Sequence, residues 1–312
     1  MRYSFSAKQR NKGVALITAV LITAAIAIAA VAMAAQQTLD VRRTANIIDG
    51  DRSYVFALGV ESWAMQLLVR DRRDNQTDHL KEDWASQLPP ITVEGAVVTG
   101  HLEDMQGRFN LNNLIKDDKV SPLDMQRFQR LLTILELDPN LADAVADWID
   151  SDADVTQPDG AEDPQYLRAD PPYRAANRPF ASPSELLLVQ GITADVYQKL
   201  APYVSALPAR TAINVNTAPK EVIMALADKI TDADAQQVID GRGDKGFASL
   251  ETFLQHQALA GRGVNQEGLS VATDYFLLDA ATRFGRGQTH LYSLLARNND
   301  GIAVVYRGQG AY

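Results

Sequence analysis

The chain has 312 residues, enough for one large or two moderate domains with a sizeable core. Its formal net charge of -9 argues against nucleic acid as a general partner. Cysteine is absent, so disulfides are excluded, and extra stabilisation in an oxidising compartment must come from packing or from metal.

The first twelve positions hold Arg2, Lys8, Arg10 and Lys12, and the first acidic residue is Asp40. Between them, the 22 residues Val14 to Ala35 carry no charge, Gly or Pro. As a helix that stretch spans roughly 33 Å, enough to cross a bilayer. Positive charge on the short side holds that end in the cytoplasm and places the rest beyond the inner membrane. A cleaved signal peptide has Ala32-Met33-Ala34 as its small-x-small site, but the apolar run exceeds the usual h-region of about 7–15 residues. An ordinary single-span anchor fits. So does a third reading, because Gly13 stands between the last basic residue and the first apolar one. A short basic leader ending in Gly before a long apolar helix resembles the class III leader of type IV pilins and pseudopilins. The resemblance implies cleavage by prepilin peptidase between Gly13 and Val14. The fifth mature residue is then Thr18, where pilins usually carry a Glu that neutralises the amine of the subunit above. An unpaired carboxylate in an apolar bundle is costly, so a subunit with nothing above it has reason to lack one. A non-pilin anchor lacks it too, and this segment leaves both readings open.

The helical pattern continues past the apolar run. Ile48, Val55, Leu58, Ser62, Met65 and Val69 form one stripe, predicting a single helix from Val14 to about Arg73. Its first half is membrane-embedded and its second half is the spine of a soluble domain. Alternation at Ile91 and Val93, and at His101 and Glu103 against Leu102 and Asp104, predicts two strands, closed by Asn110, Asn112 and Asn113 as turn residues. From about Lys116 to Gly268 the pattern is helical. Starts fall at Ser121-Pro122 and Ser182-Pro183, with a short helix through Leu141, Val145 and Trp148, and further helices over 220–228 and 231–239. From Ser270 the period becomes two, giving three strands separated by Gly285-Arg-Gly287 and Asn298 to Gly301. The expected fold class is α+β: a long helix on an antiparallel sheet, with a large all-α domain inserted into the sheet region.

Seven carboxylates crowd into 17 residues: Asp147, Asp150, Asp152, Asp154, Asp159, Glu162 and Asp163. They repel unless solvated or neutralised, and hard oxygen ligands on a loop suit Ca2+. Asp150-x-Asp152-x-Asp154 imitates an EF-hand start, but Val155 stands where the Gly belongs and Glu162 falls one place beyond the closing Glu. A cation-binding loop of another kind is expected. The competing reading is a solvated acidic loop, against which Trp148, Pro164 and Tyr166 count as apolar anchors.

Ala212 to Glu221, continuing through Val238-Ile-Asp-Gly-Arg-Gly, looks like a helix-hairpin-helix module, and Ser182 to Tyr203 like a first copy. Phosphate binding needs Gly-rich hairpins presenting N–H groups. Here the hairpin holds Asp228, Asp232 and Asp234 and no Gly, so the packing unit is expected without nucleic-acid binding. No nucleophile elbow, P-loop, HExxH or Rossmann motif occurs, and no catalytic residue is expected.

The Gly13 leader, Thr18, Gly107-Arg-Phe-Asn-Leu-Asn, the D-W-I-D-S-D loop with Gly160-Ala-Glu-Asp, and Ile213-Asn-Val-Asn-Thr-Ala-Pro together resemble the type II secretion minor pseudopilin K family over essentially the whole chain. That resemblance implies a leader at 1–13, a transmembrane half-helix at 14–35, a periplasmic pseudopilin body at 36–115 and 269–312, and an inserted helical domain at 116–268. It also implies bound calcium, and assembly with minor pseudopilins I, J and H at the tip of the pseudopilus that exports folded proteins across the outer membrane. Two other classes stay open: a signal-anchored periplasmic calcium-binding interaction module, and a helix-hairpin-helix DNA-binding protein.

Overall fold

The computed structural model describes residues 12–298 and 300–310. Arg2, Lys8 and Arg10 of the basic leader, and the side chain of Lys12, lie outside the described residues.

Helix α1 (Lys12–Asp74) is continuous through Gly50 and Gly59. Every residue from Val14 to Ala35 is exposed, and this is a helix long and apolar enough to cross a membrane. Thr18 donates its hydroxyl to the carbonyls of Val14 and Ala15, both at 3.0 Å, so its polar atom is satisfied within the helix.

The spine buries a different face from the one its large apolar residues predict. Ser53, Ala57, Val60, Glu61, Ala64, Leu67 and Leu68 are buried, whereas Val55 and Ser62 of the expected stripe are exposed. Distance of approach decides the face. A Cβ at Gly287 would lie 2.3 Å from the Asp49 carbonyl, and one at Gly100 would press on Val60 at 3.3 Å. Small side chains on the helix and glycines on the sheet let the two layers close. Glu61 is buried there because Arg307 holds both its oxygens at 2.8 Å and Ser293 donates to it at 2.5 Å. Burial pushes its carboxyl up, but those donors outweigh the burial and leave it below the usual range.

The sheet is antiparallel with strands in chain order: β1 (Leu88–Val93), β2 (Ala96–Asp104), β3 (Tyr275–Phe284), β4 (Gly287–Asn298) and β5 (Gly301–Gln309). Trp84, Val98, Leu102, Phe276, Leu278, Leu291 and Leu295 fill the space under α1. The chain leaves the sheet after Asp104 and re-enters it at Tyr275, while Asp104 itself pairs with Phe276. The insertion therefore hangs from two adjacent strand ends. Its departure precedes, and its return follows, the expected bounds at 116 and 268. Phe109–Asn110 is not a strand of the main sheet; it pairs in parallel with Val204–Ser205 inside the insertion.

Within the insertion lie α2 (Pro122–Ile134), α3 (Leu141–Ile149), α4 (Asp163–Tyr166), α5 (Ala194–Leu200), α6 (Lys220–Ala225), α7 (Asp232–Gly241) and α8 (Leu250–Leu254). Ser121 caps α2 and Thr231 caps α7, as their positions predict. The segment after Ser182 is a 3-10 helix, Pro183–Leu188, and α6 stops at Ala225, short of the expected 228. Phe109 stacks on Phe128 at 5.3 Å at the centre of a core separate from the one under the spine.

Candidate functional site

The acidic loop starts where α3 ends. Trp148 and Tyr166 are both 2 % exposed and meet edge to face at 5.1 Å, which ties the two ends of the loop together. Between them the Asp147 carboxylate is buried and accepts the Thr156 N–H at 3.1 Å. A Cβ at Gly160 would lie 2.2 Å from Asp147 Oδ2, so only Gly lets the chain fold back against that carboxylate. The return brings Glu162 to the start of α4, where the Gln165 side chain accepts its N–H at 3.3 Å.

One oxygen each from Asp150, Asp152 and Glu162 lies within 4.8 Å of the others. Glu162 is completely buried with no donor to either oxygen, and Asp150 Oδ1 is buried without a partner. No Lys or Arg pairs with these three among the described residues. Burial, then the charges of Asp152, Asp147 and Glu162, push Asp150 up to about 7. Burial, then chiefly Asp147, does the same to Glu162. Burial also raises Asp147, against the Thr156 hydrogen bonds. Of the remaining expected carboxylates, two are engaged elsewhere and one faces solvent. Asp154 is exposed and gives its N–H to Asp152 Oδ1 at 2.8 Å. Asp159 accepts from Asn140 Nδ2 at 2.8 Å. Asp163 pairs with Arg174 at 3.1 Å and accepts the Ala175 N–H. Two buried carboxylates with three orphan oxygens between them, next to a third that is exposed, form a hard oxygen donor set with uncompensated charge. Such a set fits a divalent cation of the Ca2+ kind.

The two other sequence motifs are tertiary clamps. Asn110, Asn112 and Asn113 are not turn residues only. Asn112 holds both Phe180 N and O, at 2.8 and 3.0 Å, and also the Leu207 carbonyl. Asn113 holds Thr211 N and O at 3.0 and 2.7 Å. In Asn-Val-Asn-Thr, Asn216 grips Phe247 N and O, while Asn214 and Thr217 reach the body. Asp104, at the end of β2, accepts on Oδ2 from Asn214 at 2.8 Å, Thr217 at 2.5 Å and Thr273 at 2.6 Å. Asn214 also donates to the Asp78 carbonyl. This joint fastens the insertion to the body. Periodicity does not reveal it; the one signal in the sequence is the density of Asn and Thr in runs otherwise apolar. The hairpin acids are consumed in pairs: Asp228 with Arg130, Asp232 with Lys220 and Asp234 with Arg262.

A membrane-length helix laid on an antiparallel meander, carrying a helical body between its second and third strands, defines a membrane-anchored, pilin-like subunit. Family models described as type II secretion system (T2SS), protein K, match residues 107–209 and 213–272. The type II secretion system protein K of Pseudomonas aeruginosa is 38 % identical over 97 % of this chain and 94 % of its own. That of Klebsiella pneumoniae is 34 % identical over 97 % and 98 %. A solved chain from the GspK-GspI-GspJ complex of enterotoxigenic Escherichia coli superposes with a TM-score of 0.77 at 30 % identity, over 86 % of this chain and 100 % of that one. The chain belongs to the type II secretion system protein K family and is a minor pseudopilin.

Proposed function

We propose that this subunit forms the tip of the secretion pseudopilus, where it caps the fibre and primes its assembly. Prepilin peptidase cuts between Gly13 and Val14, and Val14 to Ala35 holds the mature chain in the inner membrane with its main domain in the periplasm. Its partners are the minor pseudopilins I and J, as in the complex of its solved relative, and H beyond them. The observation that carries this reading is the placement of the insertion. A body of roughly 170 residues hung from the ends of β2 and β3 adds bulk that one more stacked pilin domain would have to avoid. Ca2+ held by Asp150, Asp152 and Glu162, with Asp147 orienting the loop, gives that insertion a fixed shape. The ion's part is charge neutralisation.

The fold supplies a clean test. Because Asp104 pairs with Phe276 and Met105 N–H donates to the Tyr275 carbonyl, residues 106–274 can be replaced by an Asn-Gly turn joining β2 to β3. In cells carrying only this shortened chain, shown by protease resistance to be folded, secretion is expected to fail although the chain reaches the membrane. Normal secretion with single normal tips would contradict the capping role.

A further inference from the structure

A second group of carboxylates lies at the foot of the spine, well away from the acidic loop in sequence. Asp71 is in the last turn of α1, Asp78 is in the following loop, and Glu82 precedes the turn that seats Trp84. Their side chains are 10, 1 and 8 % exposed, and one oxygen of each lies within 4.8 Å of the others. One guanidinium reaches them. Arg297 binds Asp71 Oδ2 at 2.9 Å and Asp78 Oδ2 at 2.5 Å, donates to the Thr273 carbonyl, and lies over the Phe276 ring at 4.9 Å. So held, it cannot also serve Glu82. Glu82 instead accepts from Asn75, the His79 N–H and Trp84 Nε1, and the His79 ring lies beside it with Nε2 3.5 Å from Oε1 and Nδ1 accepting the Lys81 N–H. Asp78 Oδ2 is taken by Arg297 and the Thr273 N–H, but Asp78 Oδ1 is buried with no partner. Three buried carboxylates against one guanidinium leave two negative charges, and an orphan carboxylate oxygen inside protein is costly.

We infer that Asp71, Asp78 and Glu82 form a second site for a hard divalent cation of the Ca2+ class, independent of the acidic loop. All three donors are oxygens, which selects Ca2+ or Mn2+ over softer ions. With the His79 ring neutral, as its Nδ1 accepting the Lys81 N–H allows, a divalent ion also cancels what Arg297 leaves. The site lies beside the joint, because the Asp78 carbonyl receives Asn214 and its carboxylate receives Thr273. Occupancy therefore ties the end of the spine to the ends of the insertion.

The test uses the full chain in detergent, with Asp150→Asn and Glu162→Gln removing the loop's donors. Equilibrium dialysis against Ca2+ followed by elemental analysis is expected to find an ion retained in this background. Adding Asp71→Asn should weaken its retention roughly tenfold or more. A second readout does not require altering a ligand. Trp84 touches Glu82, so Tb3+ in the site should show tryptophan-sensitised emission in the background chain, displaced by Ca2+ and lost in Trp84→Phe while Ca2+ retention persists. No ion retained by the background chain, or sensitised emission unchanged in Trp84→Phe, would overturn the assignment. In the first case a water on Asp78 Oδ1, or a proton on Asp71, suffices to balance the group.

Discussion

The packed face of the spine and the acidic loop handle buried charge in opposite ways. Under the spine, Glu61 meets Arg307 and Ser293 with every oxygen engaged, so the helix and sheet close without an ion. In the insertion, both Glu162 oxygens and Asp150 Oδ1 are buried without donors, and no cationic side chain pairs with either residue among the described residues. The body has long strands and a continuous apolar layer. The insertion has helices as short as Asp163–Tyr166, and relies on asparagine side chains to hold backbone that no ladder holds. Each region is therefore vulnerable in its own way: the packed face of the spine to lost packing, the acidic loop to lost polar partners and lost cation.

The largest way to break this division is to cut the joint. Asp104→Ala strands the Asn214, Thr217 and Thr273 donors, and should cost about 3 kcal/mol of stability in denaturant titration, since each buried unpaired group costs on that order. Next comes a clamp. Asn112→Ala frees Phe180 N and O and the Leu207 carbonyl, and should cost about 2 kcal/mol while leaving the sheet's own exchange protection intact. In the body, Glu61→Gln should cost less, about 1 kcal/mol, because Arg307 is half exposed and can turn to water. The same cost with and without Ca2+ would sharpen the contrast between the two regions.

Smaller effects probe the loop itself. Asp150 and Glu162 sit near 7 when folded, above their unfolded values near 4, so the metal-free folded chain binds more protons than the unfolded one. Its stability should therefore fall as pH rises from about 4 to about 7, and the stabilisation conferred by Ca2+ should grow over the same window. Glu162→Gln should raise the metal-free melting temperature slightly and remove the loop's share of the shift produced by Ca2+, leaving the share that Asp71, Asp78 and Glu82 supply. A variant that melts lower than the parent chain in EGTA, yet keeps the parent's full Ca2+ shift, would contradict this role of Glu162.

How far the sequence discloses all this depends on the kind of signal. The membrane-length run, the meander after Ser270 and the caps at Ser121 and Thr231 are local patterns, and they appear in the structure where they are expected. The buried face of the spine is not local. It depends on Gly100 and Gly287, distant in the chain, which let Val60 and the Asp49–Gly50 backbone approach the sheet while Val55 stays exposed. The acidic loop is legible as a crowd of charges, but only the fold separates Asp150, Asp152 and Glu162 from Asp159 and Asp163, which find partners of their own, and from the exposed Asp154. Asn214 and Thr217 read as part of a hairpin motif, whereas their partner Asp104 lies more than a hundred residues away.

Hydrogen exchange of the full chain in Ca2+ and in EGTA tests the central contrast most directly. Faster exchange in EGTA is expected across 141–190, with the middle of the ladder between β3 and β4, around Ala280 and Leu291, unchanged. Equal protection of 141–190 in both conditions, or loss spread evenly over the sheet, would contradict it.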